Sequence, residues 1–182
     1  MTIKVLGIDP SLNNFGFAMA EFDHDGEKWG IRITNLRLHQ TEPEKSKQVR
    51  KNSSDLERAR LLSEAIRLYE PDADLIVAEV PVGSQSARAM ASYGICVGLL
   101  AQIQKPLIQV TPSQVKIAAT GDKLATKEEM IAWAVAKYPS APWLKQKEKI
   151  LNKNEHLADA VAAIHAMIKT DDFKLMAGIL RR

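Results

Sequence analysis

The sequence predicts an α/β domain built on a mixed sheet, and three observations carry that expectation. Three strand-like segments open the chain with only turns between them. Apolar strand-length runs then alternate with helix-length segments, the pattern of parallel strands joined by crossovers. The later strands, such as "ADLIVAEV", are continuously apolar, as strands covered on both faces are.

Lys4 to Ile8 and Phe15 to Ala20 read as two short strands around a Pro-Ser-Leu-Asn-Asn turn. "KWGIRITNLRLH" alternates well enough for a third, completing an antiparallel meander. Ser54 and Glu57 have capping-box spacing, which predicts a helix from there to about Glu70, stopped by Pro71. "ADLIVAEV" is the fourth strand and ends on Glu79, and a helix of about Ser86 to Gln104 leads to a fifth, "KPLIQVTP". "SQVKIAATGDKLATKEEMIAWAVAKYP" holds a short turn of helix, a loop around Gly121 and a helix capped by Thr126 and Glu129. Asn154 is expected to cap the last long helix, running to about Lys169, and "DDFKLMAGILRR" a short terminal one.

At 182 residues the chain fits one domain, 1–182, with a real hydrophobic core. Apolar and charged fractions of 46% and 26% exclude disorder along the whole length. Cys96 is the only cysteine, so internal disulfides and paired-cysteine zinc motifs are excluded and a cytoplasmic setting is expected. The start lacks a signal-peptide pattern, and no apolar run is long enough for a membrane span. A net charge of +3 permits nucleic-acid binding without arguing for it. Two segments, Pro43 to Ser54 and Leu144 to Asn154, each carry four bases against one acid. They read either as solvated loops or as segments that follow a phosphate backbone.

Two acids stand where carboxylates are costly. Asp9 and Glu79 each end a strongly apolar strand, and ligands of open α/β sheets gather beyond the carboxyl ends of strands. Their alternative role is as turn formers. In "NEHLADAVAAIHA", His156 and Asp159 share a helix face beside a stripe of Leu157, Val161, Ile164 and Ile168. Ala160, Ala163 and Met167 continue that stripe towards His156, whereas Glu155, Ala158, Ala162, His165 and Lys169 are expected to face solvent. Asp9, Glu79, His156 and Asp159 together would need a counter-charge, and one or two divalent cations are the expected answer. Two such ions suit metal-dependent phosphoryl chemistry.

With those residues assembled, the chain resembles the RuvC family of Holliday-junction resolvases. The resemblance runs from "VLGIDPSLNNFGFA" through "IVAEVPVGSQSARAMASYGICVGLLAQ" and "PLIQVTPSQVKIAATGDKLATKEEM" to "HLADAVAAIHA". It implies an RNase H-like three-layer fold, a five-stranded mixed sheet flanked by helices. It also implies an endodeoxyribonuclease that resolves four-way junctions, or related flaps and forks, by symmetric cuts as a homodimer. The family's metal-binding acids fall on Asp9, Glu79 and Asp159, with His156 where many members have Asp. Two ions per site, Mg²⁺ or Mn²⁺, are implied, and the imidazole favours Mn²⁺. Lys116 and Lys127 match basic positions near the scissile phosphate, although Lys127 also suits a first-turn surface lysine.

Two departures stand out. Ser11 replaces a glycine after Asp-Pro, and Val82 stands where the family often has an aromatic residue that stacks on an unpaired base. Cutting of branched DNA more broadly than four-way junctions is therefore expected, with Leu144 to Asn154 supplying contacts. Ala87, Ala91, Gly94 and Gly98 either let a second subunit approach or pack on the chain's own sheet. The expected setting is a bacterial cell or a phage-infected bacterial host. A nucleic-acid-binding protein with weak or no nuclease activity is the alternative, with His156 as the sign of decay. "GIDP" is also found in sugar kinases and actin-like ATPases, but a second glycine-rich phosphate loop and a second large domain are lacking.

Overall fold

A computed structural model describes residues 2–24, 28–46 and 48–180. Lys47 of the first basic segment and the terminal Arg181 and Arg182 lie outside the described residues. The strands are β1 (Thr2–Asp9), β2 (Asn14–His24), β3 (Trp29–Gln40), β4 (Leu75–Glu79) and β5 (Leu107–Val110). Among the described residues six α-helices accompany them: α1 (Lys51–Tyr69), α2 (Ala87–Ala101), α3 (Pro112–Thr120), α4 (Lys127–Lys137), α5 (Asn154–Met167) and α6 (Asp171–Leu180). A two-residue hairpin, β6 (Lys145–Gln146) and β7 (Lys149–Ile150), lies between α4 and α5.

The main sheet has the order β3-β2-β1-β4-β5. β1 to β3 form the antiparallel meander, whereas β4 pairs parallel with β1 and β5 parallel with β4. This is the mixed sheet that the alternation of elements predicts. Side chains alternate between its faces. Leu6, Ile8, Phe15, Phe17, Ile76 and Ala78 pack with α1 and α2 on one side. Ile3, Val5, Ala18, Phe22, Leu75 and Val77 pack with α3 to α6 on the other.

On that second side α5 lies almost in backbone contact with the sheet. A Cβ on Gly7 would stand 2.4 Å from the Ala160 carbonyl oxygen, and one on Gly16 would stand 2.3 Å from that of His156. Only glycine at these two positions lets the helix come so close.

Three local expectations need correction. α1 begins a turn earlier than Ser54, with Arg50 as an N-cap that makes no side-chain bond. Ser54 instead accepts a hydrogen bond from the Glu44 backbone N–H at 2.9 Å, holding the preceding loop. Asn154 is the first residue of α5 rather than its cap, and it is fully buried. Its amide spans the Leu144 backbone, accepting from N–H at 2.9 Å and donating to C=O at 2.8 Å. The second basic segment is thus a hairpin anchored at its base, not a free loop. Lastly, Ala158 and Ala162 are buried, because helices pack on the flank of α5 away from the sheet as well. The capping box of Thr126 and Glu129 is formed as expected.

Candidate active site

Asp9 and Glu79 each lie one position past the registered pair Ile8 and Ala78 of the parallel strands β1 and β4. Strand alternation puts Ile8 and Ala78 against α1 and α2, so both acids face α5. Across the antiparallel pair Asp9 is matched with Gly16, the residue on which the first turn of α5 rests. That close approach brings His156 to the acid. The imidazole Nδ1 donates to Asp9 Oδ2 at 2.6 Å, and Asp9 is only 8% exposed. Asp159 follows one turn along the helix.

The electrostatics are those of crowded, partly dried carboxylates. Burial, then the charges of Asp9 and Asp159, push the Glu79 carboxyl up to about 8, with Lys116 opposing. Burial and the charge of Asp9 push Asp159 up to about 7, against the pull of His156 and Lys116. Burial alone would lower the imidazole of His156, but its hydrogen bond to Asp9 and the surrounding carboxylates outweigh this and raise it. Lys116, half-buried on α3, is therefore within electrostatic reach of Glu79 and Asp159.

Glu155 was expected to point outward, and it does not. Its Oε1 stands 3.2 Å from His156 Nε2, and its Oε2 pairs with the Lys127 amine at 2.8 Å. Helical projection placed it in solvent because that projection knows nothing of α4, whose first turn covers the start of α5. Lys127 is thereby tied to the site, with its side chain 73% exposed. Its amine is held above its ordinary value by the Glu155 hydrogen bond first of all. The only hint in the sequence was a first-turn acid beside a histidine.

The expected residues thus come together from β1, β4, α3, α4 and α5. Among the described residues, no three His, Cys, Asp or Glu side chains form a ready metal-binding group. Val82 is 75% exposed on the loop that leaves Glu79. Gly94 and Gly98 have open space where a Cβ would stand, so packing on the chain's own sheet does not explain them. Cys96 is buried, and burial pushes its thiol up to about 12. Among the described residues, no helix is long and apolar enough to cross a membrane.

A mixed sheet in the order β3-β2-β1-β4-β5, with acids at adjacent strand ends facing a helix, defines an RNase H-like fold with an acidic site. By sequence and fold together the chain is similar to the RuvC family of Holliday-junction resolvases. Crossover junction endodeoxyribonuclease RuvC of Synechococcus sp. (strain CC9311) is 27% identical over 132 residues, 71% of this chain and 80% of the relative. The structure of Thermus thermophilus RuvC has a TM-score of 0.64 at 20% identity, covering 98% of this chain and 97% of the other. The Fowlpox virus resolvase, solved with substrate Holliday junction DNA, has a TM-score of 0.51 at 15% identity, covering 98% of this chain and 99% of the other. No family model matches the chain.

Proposed function

We propose that this chain is a metal-dependent, structure-selective endodeoxyribonuclease that resolves Holliday junctions or related branched DNA by symmetric phosphodiester hydrolysis. The convergence of Asp9, Glu79 and Asp159 beside His156 carries this reading, and the similarity to RuvC supports it. The donor set fits a divalent cation. Three acids crowd a partly dried site, two of them raised by burial and by their neighbours' charge, and a cation would relieve both costs.

Asp9, Glu79, His156 and Asp159 are the proposed ligands of Mg²⁺ or Mn²⁺, two ions per site. Such ions supply the activation of water and the neutralisation of charge that phosphodiester hydrolysis needs. Lys116 and Lys127 are assigned to phosphate oxygens, where an ammonium stabilises charge that develops during displacement. Lys127, largely exposed and paired with Glu155, can turn to a backbone phosphate without crossing buried ground.

The nuclease is proposed as one domain, acting as a homodimer in the cytoplasm of a bacterial cell or a phage-infected host. A four-way junction offers two symmetric cutting positions, which a two-fold assembly matches. The exposed face of α2, with Ala87, Ala91, Gly94 and Gly98 beside Met90 and Val97, supports it as the contact surface. With Val82 in place of a ring, flaps and Y-forks are proposed as substrates beside four-way junctions.

A second reading, a nucleic-acid-binding protein with little nuclease activity, is favoured by one observation. His156 satisfies Asp9, and Lys127 satisfies Glu155, through protein contacts. Nicking of a synthetic four-way junction in Mg²⁺ and in Mn²⁺, beside Asp9→Asn, separates the two. The nuclease reading expects metal-dependent cuts, at least as fast in Mn²⁺, that the variant lacks. Binding without any cutting above the variant would leave the second reading. Cleavage mapping on junctions, flaps and forks then defines the substrate.

A further inference from the structure

Behind the acidic site, on the other face of the sheet, lies a buried charge network. Arg58 of α1 is 3% exposed and Asp55, three residues earlier, 5%. Burying a guanidinium is costly unless its donors are used, and here every nitrogen is engaged. Arg58 Nε donates to Thr41 Oγ1 at 2.9 Å, and Nη1 donates to Asp55 Oδ1 at 3.1 Å. Its Nη2 donates to the Leu12 carbonyl at 3.1 Å and to Asn13 Oδ1. Thr41 also donates to the Leu12 carbonyl through its hydroxyl, and to that of Asn13 through its backbone N–H at 3.0 Å.

Asp55 has a second partner. Arg88, in the first turn of α2, forms a bidentate pair with it, donating from Nη2 to Oδ1 at 2.8 Å and from Nη1 to Oδ2. One carboxylate thus joins the start of α2 to the guanidinium that holds the turn after Asp9. Leu12 and Asn13 lie in the turn that follows Asp9, and α2 begins at the end of the loop that follows Glu79. That loop is otherwise lightly held. Val80 N–H bonds to the Val110 carbonyl at 2.9 Å, and further on Ser84 N–H reaches only the Met90 sulfur at 3.1 Å.

We propose that Asp55, through Arg58 and Arg88, is a positioning residue that holds the turn after Asp9 against the end of the loop that follows Glu79, and so tunes the affinity of the site for divalent cations. The inference rests on the metal-dependent reading of that site. Bidentate Arg–carboxylate geometry fixes orientation as well as distance, which suits such a task. An outer support of this kind commonly changes metal affinity by about 10- to 100-fold when it is lost.

Arg88 is the place to test it. Its side chain is 39% exposed, so Arg88→Ala releases α2 while leaving Asp55 paired with the buried Arg58. Asp55→Asn is the harsher variant, because it strips charge compensation from Arg58. Mn²⁺ binding to the full chain is followed by electron paramagnetic resonance, beside thermal melting without metal and junction cleavage against Mn²⁺ concentration. Arg88→Ala is expected to weaken Mn²⁺ binding by about 10-fold. Arg88→Lys recovers part of this, since it keeps the charge but not the fork. Arg60→Ala, which breaks an exposed pair with Glu57 on the same helix, leaves Mn²⁺ binding unchanged.

A lowered melting temperature with wild-type Mn²⁺ affinity in both Arg88→Ala and Asp55→Asn would overturn the proposal, leaving a structural network. Weaker junction binding in the absence of metal, with Mn²⁺ affinity unchanged, would also overturn it and make Arg88 a phosphate contact. If wild type binds Mn²⁺ and the variants bind it more weakly, yet none cuts DNA, the positioning role stands and the nuclease reading falls.

Discussion

The two ends of α5 carry a histidine each, and their surroundings drive them in opposite directions. His156 at the start donates to Asp9 among carboxylates, and its imidazole is held above its ordinary value. His165 near the end is covered by Trp133 and hydrogen-bonded to the Tyr138 hydroxyl at 2.7 Å. Burial, and then Lys137 and Lys169, push its imidazole down to about 4. The same residue on the same helix is pushed towards the cation at one end and towards the neutral form at the other. Residue type sets what a side chain can do, and the neighbours that packing supplies set which of those things it does.

The contrast is broken most severely at the acidic end. Asp9→Asn is expected to cut junction cleavage by ~100-fold or more, beyond the cost of losing an outer support. Its thermal stability without metal should change little, because relief of like-charge repulsion on Glu79 and Asp159 offsets the lost bond to His156. A clear fall in melting temperature would instead make Asp9 structural.

The two ends should also answer pH with opposite sign. Glu79 and Asp159 have folded values above their ordinary ones, so the folded state holds protons that the unfolded state has released. Without metal, their contribution to stability is whole below about pH 4 and is lost as pH rises to about 8. Mn²⁺ should therefore raise the melting temperature more at pH 8 than at pH 5. His165 works the other way, because its folded value is depressed. Its contribution is whole above its unfolded value of 6.5, and ~3 kcal/mol is lost as pH falls to about 4. Chemical denaturation of His165→Gln beside wild type across that range should show the acid limb flattened.

Packing supplies the smaller effects. A Cβ on Gly16 would overlap the His156 carbonyl, so Gly16→Ala should cost ~1–3 kcal/mol and lower cleavage as His156 shifts. Gly178 on α6 has nothing within 4 Å of its added Cβ. Gly178→Ala should therefore stabilise by up to ~1 kcal/mol through helix propensity and leave cleavage unchanged. Equal losses at both glycines would remove the special role of the Gly16 contact.

The sequence by itself determined the order of elements, the mixed sheet and the places where acids end apolar strands. These follow from local patterns, since alternation, apolar runs and turn residues act over a few neighbours. The helical spacing of His156 and Asp159 was legible for the same reason. Capping was read less well at Ser54 and Asn154, because each spends its side chain on a distant backbone rather than on its own helix. Only the tertiary structure decided that Glu155 turns inward to Lys127 and His156, and that Gly7 and Gly16 let α5 rest on the sheet. It also decided that Asp55 joins the turn after Asp9 to the start of α2. Such contacts join residues far apart in the chain, where no periodicity links them and only the packed geometry of the layers brings their atoms together.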